Sequence, residues 1–175
     1  AMGTSEAGGS INNEGNLNSW LSELAFVPVD FQENAPEDEW SKDFGVGCKY
    51  FSQDAVIRLA PVAGIEIDEK LLLGEKLKVV QEFMNNGDER ALKIYETIGV
   101  YLGYTLAYYA RFYEIKHLML LGRVMSGKGG DVILEKAKEV VKQELPELAK
   151  VNICTPSEYM RRVGQSIAAA SLADY

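Results

Sequence analysis

The chain has 175 residues, of which 47% are apolar and 25% charged, and its formal net charge is -8. This composition is typical of one globular domain with its own hydrophobic core. The negative balance and the absence of a Lys/Arg cluster argue against a nucleic-acid-binding domain. No apolar run reaches the roughly 20 residues that a membrane-spanning helix needs, so no membrane partner is expected.

Cysteine and histidine are scarce. The two cysteines, Cys48 and Cys154, are far apart and form no Cys-x-x-Cys pair. This spacing favours free thiols in a reducing compartment, and we therefore expect the protein in the cytoplasm. His117 is the single histidine, and one histidine with two cysteines argues against a structural zinc site.

The first third of the chain is rich in turn-forming residues. Glycine, serine and asparagine dominate residues 3–15 and predict a hairpin there. Residues 20–31 are mostly apolar, but Pro28 limits any helix. The acidic residues 32–43 predict a surface loop.

Two short helices follow. Ser52 is predicted as the N-cap of a helix reaching Ala60, because its hydroxyl can accept an orphan backbone N–H. Asp68 is predicted to cap the next helix, over about 69–84, which residues 85–87 (Asn-Asn-Gly) end.

A long helix is predicted from Asp88 to about Tyr113. Its apolar residues recur in steps of three and four, at Tyr95, Ile98, Leu102, Leu106, Tyr109 and Tyr113. Gly99 and Gly103 cost helix propensity. Because they stand four residues apart, they leave one face bare for the close approach of another backbone.

The second half alternates strands and helices, in the order strand 115–121, turn 127–130, helix 131–145, strand 151–154, and a last helix from Ser157 or Glu158 to about residue 172. This alternation predicts right-handed crossovers on a parallel sheet. Together with the early hairpin, it predicts an α/β fold with a mixed sheet flanked by helices.

Three glycine-containing segments can carry chemistry or serve structure alone. In the first, backbone N–H groups after Gly3 and the hydroxyls of Thr4 and Ser5 can cradle phosphate oxygens, although such a start is also typical of a flexible tail. In the second, a strand leads into a turn at Gly122. Such a turn at the carboxyl end of a strand can form a crevice for a ligand, or the glycine can simply end the strand. In the third, the small residues 164–170 permit close helix packing.

Taken in order, these segments resemble the C-terminal half of the ROK family, which contains bacterial glucokinases and related sugar kinases and repressors. The matching segments are the second phosphate loop at 3–9, the Glu-containing sugar segment 22–26 after Gly15, the stretches 47–55 and 86–91, the adenosine-side loop 120–126 and the last helix 164–169. The resemblance implies a ribonuclease H-like, actin/hexokinase-type fold. Residues 1–175 would form the C-terminal lobe of a two-lobe kinase, and the N-terminal lobe would be absent.

The resemblance also implies ATP-dependent phosphorylation of a hexose or an amino sugar. The residues implied are Gly3, Thr4 and Ser5 for the ATP phosphates, Gly122, Met125 and Ser126 for the adenosine side, and Glu23 for the sugar hydroxyls. The other lobe of the full-length protein would supply a catalytic aspartate, and Mg²⁺ would accompany ATP. This chain alone would then hold no catalytic residue and be inactive. A homodimer is expected.

Some residues depart from the family pattern. The family's zinc site uses one histidine and three cysteines; the histidine position is Phe26 here, and of the cysteines Cys48 remains. These losses together indicate a zinc-free relative. The family's double glycine in the adenosine loop reads Gly122-Arg123.

Three other functions stay open. One is the sugar-sensing half of a ROK-type repressor without enzyme activity. Another is an actin-like ATPase domain that couples hydrolysis to a conformational change. A third is an interaction domain that dimerises through the helix face of Gly99 and Gly103.

Individual polar residues have simpler alternatives as well. For Glu23, a solvated or capping role stands beside sugar binding. Surface or capping roles are expected for Asp30, Asp43 and Asp54. His117 is expected to be a packed or edge histidine, because no second metal ligand is near it.

Overall fold

The computed structural model describes residues 1–18, 22–157, 159–160, 163–164 and 166–167. In this part of the chain the regular elements are α1 (Gln53–Val62), α2 (Leu73–Asn85), α3 (Glu89–Tyr109), β1 (His117–Met119), α4 (Gly127–Glu144) and β2 (Asn152–Cys154). Short 3-10 turns lie at Leu24–Phe26, Gly47–Lys49, Arg123–Met125 and Pro146–Leu148. The α/β class is confirmed. Within the described ranges, no helix is both long enough and apolar enough to cross a membrane.

The sheet is smaller than the sequence predicts. β1 and β2 pair in parallel, with His117 opposite Asn152, and α4 connects them as predicted. Elsewhere in the described residues, antiparallel pairing takes the form of isolated bridges. One of these, Ile11 to Leu17, is the predicted hairpin.

Two predicted segments fall partly outside the described residues. Most residues of the predicted last helix, 157–172, lie outside the described residues. Those that are described within it, 159–160, 163–164 and 166–167, are helical. The hydroxyl of Ser157 accepts a hydrogen bond from the N–H of Met160 (3.2 Å), which is the predicted start signal. Trp20, at the start of the apolar segment, also lies outside.

One hydrophobic core joins the four helices. The predicted stripe of α3 faces it: exposed fractions are 6% or less for Tyr95, Ile98, Leu102, Leu106 and Tyr109. The periodicity of the stripe is therefore confirmed. The helix ends at Tyr109 and not at Tyr113.

α3 packs closely on α4 through its two glycines. A Cβ atom at Gly99 would lie 2.9 Å from the carbonyl oxygen of Ile133, and one at Gly103 would lie 2.6 Å from Cβ of Val140. The bare face therefore meets a helix of the same chain. This overturns the interpretation of that face as a dimer contact, and the expected homodimer stays a prediction.

We expect Gly103→Ala to destabilise the fold. The gain in helix propensity is about 1 kcal/mol, whereas overpacking a close helix contact costs about 1–3 kcal/mol. The net loss in the free energy of unfolding should be up to about 2 kcal/mol, measured by urea denaturation. Gly74→Ala in α2 is the matched control, because a Cβ atom there would first meet the flexible end of Arg123 at 3.1 Å. A stabilising effect of Gly103→Ala would contradict the packing argument.

Two helix starts differ from prediction in mechanism or position. Ser52 is the N-cap of α1, but its hydroxyl donates to the carbonyl oxygen of Cys48 and caps no N–H group. Residues 127–130, predicted as a turn, are the first turn of α4. Glycine is required at two of these positions, because a Cβ atom would lie 2.4 Å from a ring carbon of Tyr95 at Gly129 and 2.1 Å from the carbonyl oxygen of Met125 at Gly130.

The start of α2 was predicted wrongly at residue 69; the helix begins at Leu73. The carboxylate of Asp68 accepts a hydrogen bond from the N–H of Lys70 (2.9 Å) within a separate turn. The carboxylate of Glu75 accepts one from the N–H of Leu72 (2.8 Å), and this bond secures the start of the helix.

Candidate functional site

Residues 1–6 form a tight loop with Thr4 and Ser5 at its tip. The N–H of Gly3 donates to the carbonyl oxygen of Ser5 (3.0 Å), and the carbonyl oxygen of Gly3 accepts from the N–H of Gln53 at the start of α1 (2.8 Å). Thr4 and Ser5 are both exposed. The tip can therefore offer two hydroxyls and loop backbone to an anionic ligand.

Backbone hydrogen bonds join this loop to the Gly122 turn. The N–H of Met2 donates to the carbonyl oxygen of Leu121 (2.7 Å), and the N–H of Val124 donates to that of Met2 (3.3 Å). Gly122 has φ 106° and ψ 172°. A Cβ atom at Gly122 would lie 2.2 Å from the carbonyl oxygen of Met2. Two segments that are distant in sequence thus form one continuous surface.

A cavity of about 230 Å³ adjoins this surface, where the end of α2 meets the start of α4. Its lining consists of Gln81, Asn85, Ser126, Gly127 and Gly129. The amide of Gln81 donates to the carbonyl oxygen of Arg123 (3.1 Å), which ties α2 to the Gly122 turn.

The three residues predicted for the adenosine side have different environments. Ser126 lines the cavity and Gly122 forms the turn beside it. Met125 is 3% exposed and its side chain belongs to the core. A ligand in the cavity could therefore meet Met125 through its backbone only.

The predicted sugar segment lies against the glycine-rich loop. Glu23 is exposed and precedes the 3-10 turn Leu24–Phe26. A Cβ atom at Gly8 would lie 2.5 Å from Cδ1 of Leu24, and one at Gly47 would lie 2.5 Å from the carbonyl oxygen of Leu24. The structure therefore brings the loop of Thr4, the turn of Glu23 and the Gly47 turn together.

Glu6 connects these loops to α3. The hydroxyl of Tyr109 donates to Oε1 of Glu6 (3.2 Å). Oε2 is buried without a hydrogen-bond partner, and a Cβ atom at Gly47 would lie 2.1 Å from it. Burial raises the pKa of Glu6 to about 7, against the opposing effects of the Tyr109 hydrogen bond and the Ala1 ammonium group.

Phe26 and Cys48, at which the sequence resemblance would place zinc ligands, are engaged in other contacts. Phe26 packs on Trp40, with ring centroids 5.3 Å apart. The thiol of Cys48 donates to Oδ1 of Asp38 (3.4 Å), and burial, followed by that carboxylate, raises the pKa of Cys48 to about 12. A metal site needs the thiolate. Among the residues described, no group of three His, Cys, Asp or Glu side chains is placed to hold a metal ion. The expected absence of zinc stays a prediction.

The other polar residues singled out in the sequence lie outside this site. Asp54 forms an ion pair with Lys49 (2.7 Å), whose side chain is only 5% exposed and also contacts Glu39 (2.9 Å). Asp43 is exposed. His117 is exposed on β1, as expected for an edge histidine.

Some site residues were missed at the level of sequence. Gln81 and Asn85 line the cavity with Ser126, and their i, i+4 spacing places them on one face of α2. That spacing could have paired them, but Asn85 was interpreted as a helix stop alone. Glu6 was missed because a glutamate within a Gly/Ser-rich run is usually exposed.

Comparison with known proteins identifies the fold. No protein-family model matches the sequence, and no curated protein matches it. One similar solved structure is a ROK family glucokinase from Streptomyces griseus in complex with glucose and AMPPNP, with TM-score 0.70, 20% identity, and coverage of 98% of this chain and 58% of that chain. Another is a candidate sugar kinase from Cytophaga hutchinsonii, with TM-score 0.69, 17% identity, and coverage of 98% and 55%. At these identities the similarity shows a shared fold.

Proposed function

From the fold shared with these sugar kinases, we propose that this chain is the C-terminal lobe of an ATP-dependent kinase for a hexose or an amino sugar. The chain spans little more than half of each solved structure, 58% and 55%. The remaining lobe of the longer protein would supply the catalytic aspartate. Glucose and AMPPNP in the Streptomyces griseus structure motivate the choice of substrates.

The observation that carries the proposal is the hydrogen-bonded contact between the first loop and the Gly122 turn. Because the backbone of Met2 bonds to Leu121 and Val124, the loop that carries Thr4 and Ser5 is fixed to the turn that leads to Ser126 and its cavity. A nucleotide needs such a combination: donors for its phosphates next to a recess for its nucleoside.

Each part of the surface has a distinct task in this proposal. Thr4 and Ser5 hold the ATP phosphates at the tip of the loop that Gly3 shapes, and Gly122, Ser126 and the Met125 backbone border the adenosine. Glu23, on the adjoining turn, accepts hydrogen bonds from sugar hydroxyls. Mg²⁺ would neutralise phosphate charge, and this chain would align ATP with the sugar.

A sugar screen on the full-length protein tests the activity. ADP release is followed in a coupled assay with ATP, Mg²⁺ and a panel of hexoses and amino sugars. Turnover with one sugar supports the kinase and names the substrate. Sugar binding by calorimetry without turnover would instead favour a sugar-sensing protein, and absence of both would contradict the proposal.

Thr4→Ala tests the phosphate contact directly. We expect nucleotide affinity in the full-length protein to fall about tenfold or more, since a hydrogen bond to a charged group contributes about 1.5–3 kcal/mol. Calorimetric titration with AMPPNP measures the change.

Thr97→Ala on α3 removes the same hydroxyl and methyl groups at a distance from the loop, and it should leave nucleotide affinity unchanged. Equal affinities for the wild type and Thr4→Ala would rule out the phosphate role of the first loop.

A further inference from the structure

A second cavity, of about 210 Å³, lies between α1, α3 and the loop that begins at Asp30. No residue lines both this cavity and the one beside Ser126. Its volume is below the roughly 300 Å³ at the lower end of pockets for drug-sized ligands, so its occupant must be small. Ala55, Leu59 and Ile98 contribute apolar surface to the cavity. Most of its other lining residues are polar, among them Asp30 and Arg58.

Asp30 supplies a negative charge to this cavity. Its Oδ2 accepts hydrogen bonds from the hydroxyls of Tyr50 (2.6 Å) and Tyr101 (3.2 Å), and its Oδ1 accepts one from the N–H of Gln32 (3.0 Å). Burial opposes ionisation, but these hydrogen bonds outweigh it and hold the pKa of Asp30 below its usual value. Asp30 is therefore a carboxylate with neutral partners.

Arg58 supplies a positive charge from α1. Its guanidinium lies over the ring of Tyr50, with Cζ 5.6 Å from the ring centroid, and its Nη2 donates to the carbonyl oxygen of Lys49 (2.8 Å). Its Nε is buried without a hydrogen-bond partner. Because Nε is shielded from solvent, an anionic group in the cavity would meet the other donors of the Arg58 guanidinium, whose residue lines the cavity.

Neither charge is neutralised by the protein. Among the described residues, no ion pair involves Asp30 or Arg58. Tyr50 holds the two groups apart, because its hydroxyl binds Asp30 while its ring face lies under Arg58. One small cavity thus presents an unpaired anion and an unpaired cation.

The ligand class follows from this pair of charges. A simple anion would be repelled by Asp30, and a simple cation would be repelled by Arg58. We propose that the cavity binds a small zwitterion of the α-amino acid class, with its carboxylate on Arg58 and its ammonium group on Asp30. Guanidinium is well suited to carboxylates because it can donate two parallel hydrogen bonds. The proposal is independent of the kinase function.

The test is a binding screen of the 175-residue chain. The twenty common L-amino acids are screened by thermal shift, each at about 10 mM, a concentration that still detects weak binding. Each amino acid that binds is then titrated by calorimetry. For each binder, the matched carboxylic acid without the amino group and the matched amine without the carboxylate are titrated as well. We expect at least one amino acid to bind and both matched compounds to bind at least tenfold more weakly.

Variants connect the binding to this cavity. Arg58→Met and Asp30→Asn should each weaken binding at least tenfold; Asp30→Asn keeps an oxygen for the two tyrosine hydroxyls. Lys138→Met, which removes an exposed cation of α4 paired with Glu135, is the control and should bind like the wild type. If Arg58→Met does not fold, the affinities of Asp30→Asn and of the matched compounds still test the proposal.

Three results would overturn the proposal. The first is the absence of any binder among the amino acids. The second is a binder whose affinity is the same in the wild type and in Asp30→Asn. The third is competition by glucose at equal strength, because a neutral polyol would show that the two charges do not select the ligand.

Discussion

Gly122→Val is expected to lower the free energy of unfolding by about 2–4 kcal/mol and to weaken nucleotide binding at least tenfold. Gly122 adopts φ 106° and ψ 172°, a conformation that β-branched residues avoid. Its Cβ atom would also lie 2.2 Å from the carbonyl oxygen and 2.8 Å from the nitrogen of Met2. Valine must therefore displace Met2, and the hydrogen bond from Met2 to Leu121 is lost. Urea denaturation measures the first effect, and AMPPNP titration of the full-length protein measures the second.

Gly87→Val separates backbone strain from the clash with Met2. Gly87 has φ +80°, but no atom lies within 4 Å of a Cβ atom built there. The control should therefore lose about 1–2 kcal/mol from strain alone and keep its nucleotide affinity. Equal destabilisation by the two variants would contradict the steric role of Gly122. An unchanged nucleotide affinity in Gly122→Val would remove this turn from the proposed site.

Glu6→Gln is expected to stabilise the protein at pH 8 relative to the wild type, and much less at pH 5. The folded state holds the pKa of Glu6 at about 7, above the usual glutamate value of 4.5, mainly because the carboxyl group is buried. Its contribution to stability is therefore fully present below pH 4.5 and is lost as the pH rises through 7. Over that interval the difference between variant and wild type should grow by on the order of 3 kcal/mol.

Urea denaturation at several values between pH 5 and pH 8 checks this dependence. Glu23→Gln is the matched control, because Glu23 is an exposed carboxylate of the same surface and its replacement should change stability by about 0.5 kcal/mol or less. A constant difference between Glu6→Gln and the wild type across this range would show that Glu6 ionises normally in the folded protein.

The helices were largely predictable from the sequence because their signals are local. Asp88 accepts a hydrogen bond from the N–H of Arg90 (2.8 Å) and starts α3 as predicted. The stripe from Tyr95 to Tyr109 is buried because steps of three and four residues follow the helical repeat. The parallel order of β1 and β2 follows from two apolar runs separated by a helix.

Local signals failed where two of them competed. Asp68 and Glu75 can each accept backbone N–H groups near the start of a helix, and the sequence does not rank them. In the structure Asp68 closes a separate turn, and α2 begins beside Glu75. The glycines of residues 127–130 resemble a turn, but Gly129 and Gly130 allow α4 to approach Tyr95 and Met125.

The sequence by itself determined the α/β class, the start of α3 at Asp88, the apolar stripe of that helix, and the glycine segments from which the nucleotide site is proposed. Only the tertiary structure joined Met2 to the Gly122 turn, placed Gln81 and Asn85 beside Ser126, buried Glu6, and set Asp30 and Arg58 in one cavity. The reason is physical: caps and periodicity act between residues a few positions apart, whereas these contacts join residues that only chain topology brings together. The sequence around a charged residue in a turn-rich segment is the same whether the fold exposes that residue or buries it.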